Sequence, residues 1–187
     1  MPDDAPLLAA LAAIRERGAI GESSLRDAVA HADRFVALVP HDASTLIDLG
    51  SGGGLPGLVI GWRLPQLEVV LVERRTTRAD LLRRAVRALD CSGHVRVVAD
   101  DVAVVAQDSP ASFDVVTARS FARPEVTAHW VARLLAPEGT ALISEPPEVV
   151  PDRWPAPLLA TLRLVDGGVE QGIRVLRRAG LFHVEHS

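Results

Sequence analysis

The sequence predicts an α/β fold built on a mostly parallel, doubly wound sheet, and three observations lead to it. Short apolar runs alternate with helical segments along most of the 187 residues, a pattern typical of parallel βαβ units. The first apolar run leads directly into a turn with five glycines, Gly50 to Gly57. Near the C-terminus two apolar runs have no helix between them, which predicts an antiparallel pair.

The first forty residues predict two helices ahead of the sheet. Apolar residues recur at helical spacing over residues 5–17, and Gly18 ends the pattern. Ser23 or Ser24 can cap a second helix that continues to Pro40. We expect both helices to pack on the sheet or to cover a ligand site.

Five apolar runs predict the parallel strands, at residues 45–49, 68–73, 94–99, 113–118 and 139–144. Three helices are predicted between these strands, from helical spacing of apolar residues or from a residue that starts helices. They cover residues 58–64 after Pro56, a segment from Thr76 or Thr77 to residue 89, and residues 124–135. The fifth strand is followed by a proline-rich stretch, residues 146–157, which we expect to be a surface loop.

The last two runs, residues 162–165 and 173–176, predict an antiparallel hairpin with its turn around Gly167 and Gly168. A mostly parallel sheet that ends in such a hairpin is the ground plan of Rossmann-like class I methyltransferases.

The composition excludes several classes of protein. The chain has 48% hydrophobic and 24% charged residues, as globular proteins do, and no apolar run reaches the ~20 residues of a membrane span. No secretory leader is visible, so we expect a cytoplasmic protein.

The length of the chain predicts one domain over residues 1–187, with residues 1–40 as a short helical segment. A net charge of −4 argues against indiscriminate nucleic-acid binding.

The glycine turn predicts a nucleotide-type ligand, and two ligand classes fit it. Gly52 to Gly57 satisfies the dinucleotide pattern G-x-G-x-x-G, with Glu73 lying 21 residues after Gly52. However, Asp48 stands directly ahead of the glycines, where a carboxylate would repel a pyrophosphate. S-adenosylmethionine carries a sulfonium and an ammonium, which a carboxylate attracts. The sequence therefore favours S-adenosylmethionine, with a dinucleotide as the alternative.

Further candidate residues follow the predicted strands, at the sheet edge where ligands bind. Glu73 follows the second strand and can accept two hydrogen bonds from a ribose diol. Asp101 follows the third strand, and the backbone there could meet an adenine edge. Arg119 and Arg123 flank the exit of the fourth strand, where a guanidinium could engage a phosphate or the cofactor carboxylate. Asp114 is interpreted as a polar residue at a strand entrance.

Arginines concentrate around the predicted helix that begins near Thr76. They form either a solvated face or a face for RNA phosphates, and they are Arg74, Arg75, Arg78, Arg83, Arg84 and Arg87. Cys91 is the only cysteine and is expected to be a buried thiol. The histidines, including His183 and His186, show no metal-binding pattern, and no serine, histidine and aspartate arrangement indicates a hydrolase.

Two stretches, Ile-Asp-Leu-Gly-Ser-Gly-Gly-Gly-Leu-Pro-Gly at residues 47–57 and Phe-Asp-Val-Val-Thr-Ala-Arg-Ser-Phe-Ala at 113–122, carry a family resemblance. The chain resembles the RsmG (GidB) family, bacterial methyltransferases that modify a guanine N7 in small-subunit ribosomal RNA. The resemblance implies S-adenosylmethionine as cofactor, ribosomal RNA or the small ribosomal subunit as partner, and Arg119 as a pocket residue. The cofactor-binding set of the sequence analysis is Asp48, Gly50, Ser51, Gly52, Gly54, Leu55, Glu73, Asp101, Val102, Ala103 and Arg119.

The chain also departs from the family pattern. Thr77 and Ser144 stand where the family has lysines, Glu145 follows Ser144, and Ala103 stands where an acid is often found. The alternatives are therefore a small-molecule methyltransferase, a non-catalytic cofactor-binding relative and a dinucleotide-dependent oxidoreductase.

Overall fold

The computed structural model describes residues 3–21, 24–148 and 150–179 of the chain. Its helices are α1 Ala5–Arg15, α2 Leu25–Leu38, α3 Gly57–Arg63, α4 Thr76–Ala88, α5 Val102–Asp108, α6 Pro124–Leu134 and α7 Ala156–Thr161. Its strands are β1 Thr45–Leu49, β2 Glu68–Val72, β3 Val95–Val98, β4 Phe113–Ala118, β5 Leu135–Ser144, β6 Leu164–Glu170 and β7 Ile173–Arg178. In the described part of the chain no helix is long and apolar enough to cross a membrane.

The strands form one seven-stranded sheet in the order β3-β2-β1-β4-β5-β7-β6. Strands β1 to β5 are parallel, and β7 pairs antiparallel with both β5 and β6. The predicted fold class is confirmed. The chain starts at β1, moves outward to β3 and returns to β4 beside β1, so the strand order reverses between β1 and β4. Ligands bind at the carboxyl ends of strands at such a reversal.

Helices cover both faces of the sheet and create two apolar cores. Alternate residues of β1 illustrate the division, since Leu46 packs in the core under α1 to α4 and Ile47 packs in the core under α5 to α7. Both side chains are fully buried. Burying a leucine or isoleucine side chain stabilises the fold by about 1.5–3 kcal/mol. The central strands are thus fixed from both sides, and their ends are held in place.

The predicted N-terminal helices are present and are tied to the sheet through Arg63 at the end of α3. Ser24 caps α2 by accepting the N–H of Asp27, while Ser23 lies outside the described residues. Arg63 is only 11% exposed and binds Asp4 ahead of α1 at 2.6 Å and Asp33 of α2 at 2.9 Å. Both aspartates are about one-third exposed, so these part-buried ion pairs connect the two helices to α3.

Two short helices were not predicted. Helix α5 contains Val-Ala-Val-Val, a β-branched run without an amphipathic helical period, and begins where Asp101 accepts the N–H of Ala103 at 2.9 Å. Helix α7 begins inside the stretch expected to be a surface loop. That expectation is wrong for Trp154, which is buried and donates Nε1–H to Glu145 at 2.5 Å.

The position of the hairpin turn was also predicted wrongly. Gln171 and Gly172 form the turn, with φ of 51° and 81°, and two adjacent positive φ angles are typical of tight hairpin turns. Gly167 and Gly168 lie inside β6, where the register with β7 shifts between Asp166 and Val169. The two glycines therefore mark a β-bulge, for which glycine is equally suited.

Gly57, the last glycine of the turn, is required by packing. It is buried at the start of α3, and a Cβ at this position would lie 2.5 Å from Leu71 Cδ2 and 2.7 Å from Asp48 Oδ2. Both neighbours belong to central strands and cannot move away easily. The absence of a side chain lets α3 approach β1 and β2 closely.

Gly57→Ala is expected to lower the free energy of unfolding by about 1–3 kcal/mol, the usual cost of overpacking. The matched control is Gly93→Ala, because a Cβ at Gly93 meets nothing within 4 Å. Chemical denaturation of both variants tests this. Equal stability of the two variants would contradict the packing role of Gly57.

Candidate active site

The glycine turn lies at the end of β1, with left-handed backbone at three of its glycines. The φ angles are 65° at Gly50, 53° at Gly52 and 90° at Gly54, a region that residues with a Cβ rarely adopt. A Cβ at Gly50 would also lie 2.8 Å from the ring of Phe121. The Ser51 N–H donates to the Val72 carbonyl at 2.8 Å, so the turn is hydrogen-bonded to the end of β2.

Glu73, directly after β2, holds this turn from the side. Its side chain is buried, one oxygen accepts the Gly52 N–H at 3.1 Å, and the other accepts the Arg75 N–H at 2.8 Å. The sequence analysis assigned Glu73 to a ribose; the structure adds a backbone role. Each carboxylate oxygen has two lone pairs, so each oxygen retains one acceptor position.

Asp48 is 1% exposed and lies beneath the turn. Thr117 of β4 donates its hydroxyl to Oδ1 at 2.7 Å, whereas Oδ2 has no hydrogen-bond partner among the described residues. Burial raises the pKa of Asp48 to about 6, against the lowering effects of the Thr117 and Ser51 hydroxyls, the nearby Gly57 N–H and the charge of Arg119. A buried acceptor without a partner is costly, and a cationic group at this turn would lower that cost.

A first cavity of about 460 Å³ opens beside the turn at the carboxyl ends of β1, β2 and β3. Its walls are formed by Gly50, Val72, Glu73, Arg74, Arg75, Arg78, Asp100, Asp101, Val102, Ser120, Phe121, Ala122, Val126 and Trp130. Four residues of the predicted cofactor set, Gly50, Glu73, Asp101 and Val102, are thus brought together. The remaining members of the set do not line this cavity, and they are Asp48, Ser51, Gly52, Gly54, Leu55, Ala103 and Arg119. The N–H of Ala103 is already donated to Asp101.

A second cavity of about 380 Å³ adjoins the first, and Arg119 lines it together with His31, Ser144, Glu145 and Trp154. The two cavities share residues 120–122. Phe121 therefore stands between them, with its ring against Gly50. Arg119 does not line the first cavity with Gly50, Glu73, Asp101 and Val102, although its charge acts on Asp48.

The predicted arginine face is divided in the structure. Arg74, Arg75 and Arg78 line the first cavity. Arg83 pairs with Asp80 at 2.8 Å, and Arg84 lines a shallow cavity against α1. Since successive helix residues are rotated by about 100°, these arginines do not all face the first cavity.

Two further candidates, Asp114 and Arg123, do not line the first or the second cavity. Asp114 accepts hydrogen bonds from the N–H groups of Ser44 and Thr45 and from the Thr45 hydroxyl, at 2.9 to 3.0 Å. Burial acts to raise the pKa of Asp114, but these hydrogen bonds outweigh it and lower the pKa. Asp114 thus fixes the entrance of β1 against β4. Arg123 is exposed ahead of α6 and lines neither cavity.

Several site residues were missed by the sequence analysis. Thr117 binds Asp48, Phe121 separates the cavities, and the His31 Nε2 lies 3.3 Å from the Ser144 hydroxyl. Alternation along β4 could have indicated which residues share a face of the sheet with Thr117, but its contact with Asp48 depends on β4 lying beside β1. His31 lies more than a hundred residues before Ser144 in the chain, and no local pattern signals that pairing.

The family model described as rRNA small subunit methyltransferase G (GidB) matches residues 9–145. The chain belongs to this family. Over 100 residues it is 45% identical to the ribosomal RNA small subunit methyltransferase G of Salinispora arenicola, covering 51% of this chain and 41% of that protein. The corresponding protein of Salinispora tropica is 37% identical over 129 residues, 67% of this chain and 51% of that protein.

The chain spans about half the length of these GidB relatives. Among solved structures, a Klebsiella pneumoniae protein classed as an O-methyltransferase has a TM-score of 0.71 at 16% identity, covering 97% of this chain and 92% of that chain. At this identity the likeness concerns the fold. The resemblance carried by residues 47–57 and 113–122 is confirmed by the family match.

The raised pKa of Asp48 predicts a specific pH dependence of stability. An acid whose pKa is higher in the folded state loses stabilisation as the pH rises from its unfolded value, 3.8, through about 6. Asp48→Asn removes this ionisation while keeping an acceptor for Thr117. The stability of this variant relative to the wild type should increase by roughly 2–3 kcal/mol between pH 4 and pH 7. Chemical denaturation at each pH measures the free energy of unfolding of both proteins. A constant difference between the variant and the wild type from pH 4 to pH 7 would contradict the raised pKa of Asp48.

Proposed function

We propose that this protein is an S-adenosylmethionine-dependent methyltransferase that acts on guanine N7 of small-subunit ribosomal RNA. The observation that carries the proposal is the turn between two buried carboxylates, Asp48 below and Glu73 beside it, in a chain of the GidB family. The first cavity takes the cofactor, and the second takes the acceptor base.

The residues around the first cavity fit S-adenosylmethionine. Glu73 retains acceptor positions for a ribose diol, and Asp101 and Val102 form the wall beyond it for an adenine ring. Gly50 exposes backbone to the cavity because it has no side chain. Asp48 Oδ2, which has no hydrogen-bond partner within the described part of the chain, supplies negative potential beneath the turn. When bound, the cofactor supplies an electrophilic methyl group on a sulfonium.

The same features argue against a dinucleotide. A pyrophosphate needs free N–H groups at a helix N-terminus, but α3 begins with the buried Gly57 packed on Asp48. The Gly52 N–H is already donated to Glu73. Two carboxylates near the turn would repel the phosphates.

Guanine N7 requires little from the protein beyond orientation. The atom has a free lone pair, so no proton has to be removed before it attacks, and catalysis reduces to positioning and exclusion of water. Arg119 can donate to a carbonyl or phosphate oxygen of the acceptor. Trp154 and Pro146 supply apolar walls for a flat base.

Ribosomal RNA is proposed to contact the arginines at both ends of α4. Arg74, Arg75 and Arg78 stand at the mouth of the first cavity, and Arg83, Arg84 and Arg87 extend the positive surface away from it. They would supply the phosphate contacts that lysines give elsewhere in the family, since Thr77 and Ser144 are uncharged.

Small ribosomal subunits from a strain lacking its own enzyme should accept labelled methyl groups from this protein, and naked ribosomal RNA serves as the comparison. The label should be recovered as N7-methylguanine. Label in a small molecule but in neither RNA substrate would contradict the RNA proposal and favour a small-molecule methyltransferase. Cofactor binding without any transfer would identify a non-catalytic relative.

Reversing Arg83 and Arg84 to glutamate together should weaken RNA binding and leave cofactor affinity unchanged, because neither residue lines the first cavity. If both contact phosphates, the slope of log affinity against log salt should fall by roughly 1.4–1.8. The matched control reverses Arg96 and Arg133, which are exposed on other surfaces. Equal losses in both double variants would reveal an effect of net charge alone.

A further inference from the structure

A continuous trough leads away from the second cavity across the surface. A third cavity of about 450 Å³ adjoins the second, and the two share His31, Glu145, Pro146, Pro147 and Arg153. The third cavity extends to Arg34 of α2 and to the β6–β7 hairpin. The trough is therefore long enough for more than a single base.

Most charges along the trough are already paired. Glu145 lies 2.8 Å from Arg153 Nε and 3.0 Å from Arg174 Nε, and Arg174 also binds Asp166 at 2.5 Å. The Glu145 side chain is 8% exposed. These contacts attach the loop that follows β5 to strand β7. The negative charge of Glu145 is balanced by Arg153 and Arg174.

Two arginines of the trough differ from these. In residues 3–21, 24–148 and 150–179, neither Arg34 nor Arg119 has a carboxylate within ion-pair distance. Arg34 donates to the Gln171 carbonyl at 3.3 Å, and Arg119 is half-buried. Arg34 is exposed. A guanidinium that has no carboxylate partner among the described residues can pair with an anion.

His31 stands between these two arginines. It lines both the second and the third cavity, with Arg119 on one side and Arg34 on the other. His31 and Arg34 are three residues apart on α2 and so share a face of the helix. Burial, and then the charges of Arg119 and Arg34, lower the pKa of His31. The imidazole is thus neutral at neutral pH, and a bound anion would restore its proton affinity.

We propose that Arg34, His31 and Arg119 form a phosphate subsite that holds a phosphate of the acceptor nucleotide, with its base in the second cavity. This subsite rests on one part of the proposed function, namely that the acceptor is a nucleotide. It places helix α2 in substrate binding, and it explains why Arg34 and Arg119 face the trough with no carboxylate partner among the described residues.

The test compares guanosine 3′,5′-bisphosphate with guanosine, which share a base and differ in phosphates. The bisphosphate should bind the wild type at least tenfold more tightly, since contacts of a charged group with arginine are strong. Arg34→Gln should remove most of this preference and leave guanosine affinity unchanged. Arg34→Lys should restore part of it. Arg26→Gln, an exposed change on the same helix, is the matched control.

Imidazole signals in NMR give a second readout. The pKa of His31 should rise on addition of the bisphosphate and stay unchanged with guanosine. The groups that face His31 are Arg34 on its own helix, Arg119 after β4, Ser144 and Glu145 on β5 and after it, and Arg153. Glu148, which is exposed, and Arg174 line the third cavity as well. A binding preference that survives Arg34→Gln, or equal affinity for the two ligands in the wild type, would overturn the subsite.

The outcomes separate the subsite from the proposed function. If ribosomal subunits are methylated but the bisphosphate has no advantage over guanosine, the subsite is wrong and the function stands. If the bisphosphate preference depends on Arg34 and no ribosomal substrate is methylated, the subsite stands and belongs to an enzyme or binding protein for another nucleotide.

Discussion

The site depends on one buried carboxylate, that of Glu73, which joins the turn after β1 to the turn after β2. Its two oxygens accept the N–H groups of Gly52 and Arg75. Leaving a buried N–H without an acceptor costs about 1–3 kcal/mol, so this carboxylate fixes the positions of both turns. Together with the bond from the Ser51 N–H to the Val72 carbonyl, this connection fixes the wall of the first cavity, which Glu73 itself lines.

The surroundings of the turn are completed by segments distant in the chain. Arg63 binds Asp4 and Asp33 and so places the first two helices over α3. A Cβ on Gly53 would lie 2.3 Å from Ile20 Cγ1, which shows how closely the segment after α1 covers the glycines. Glu145 fixes the loop on the other side through Arg153 and Arg174. The N-terminal helices therefore contribute to the site, and His31 brings a polar group into it.

Local signals predicted the parts of the protein that local interactions determine. Strands β1 and β4 were predicted with their observed bounds because each is a short apolar run, and β1 is followed by glycines. Glu73 and Gly50 were predicted at the sheet edge because one follows a strand and the other lies in a glycine turn, and the structure places both in the wall of the first cavity. Helix α5 was missed because its β-branched residues also suit a strand, and helix α7 was missed because it lies in a proline-rich stretch. The hairpin turn was misplaced because glycines also occur in β-bulges. The pairings of His31 with Ser144 and of Thr117 with Asp48 are tertiary contacts, which no local pattern contains.

The central claim is that the turn between Asp48 and Glu73 binds a sulfonium cofactor and excludes a pyrophosphate. Calorimetric titration of the protein with S-adenosylmethionine, S-adenosylhomocysteine and NAD tests it most directly. The account predicts saturable binding of the first two compounds and no heat of binding with NAD. Saturable binding of NAD, with no binding of either methionine-derived compound, would contradict it.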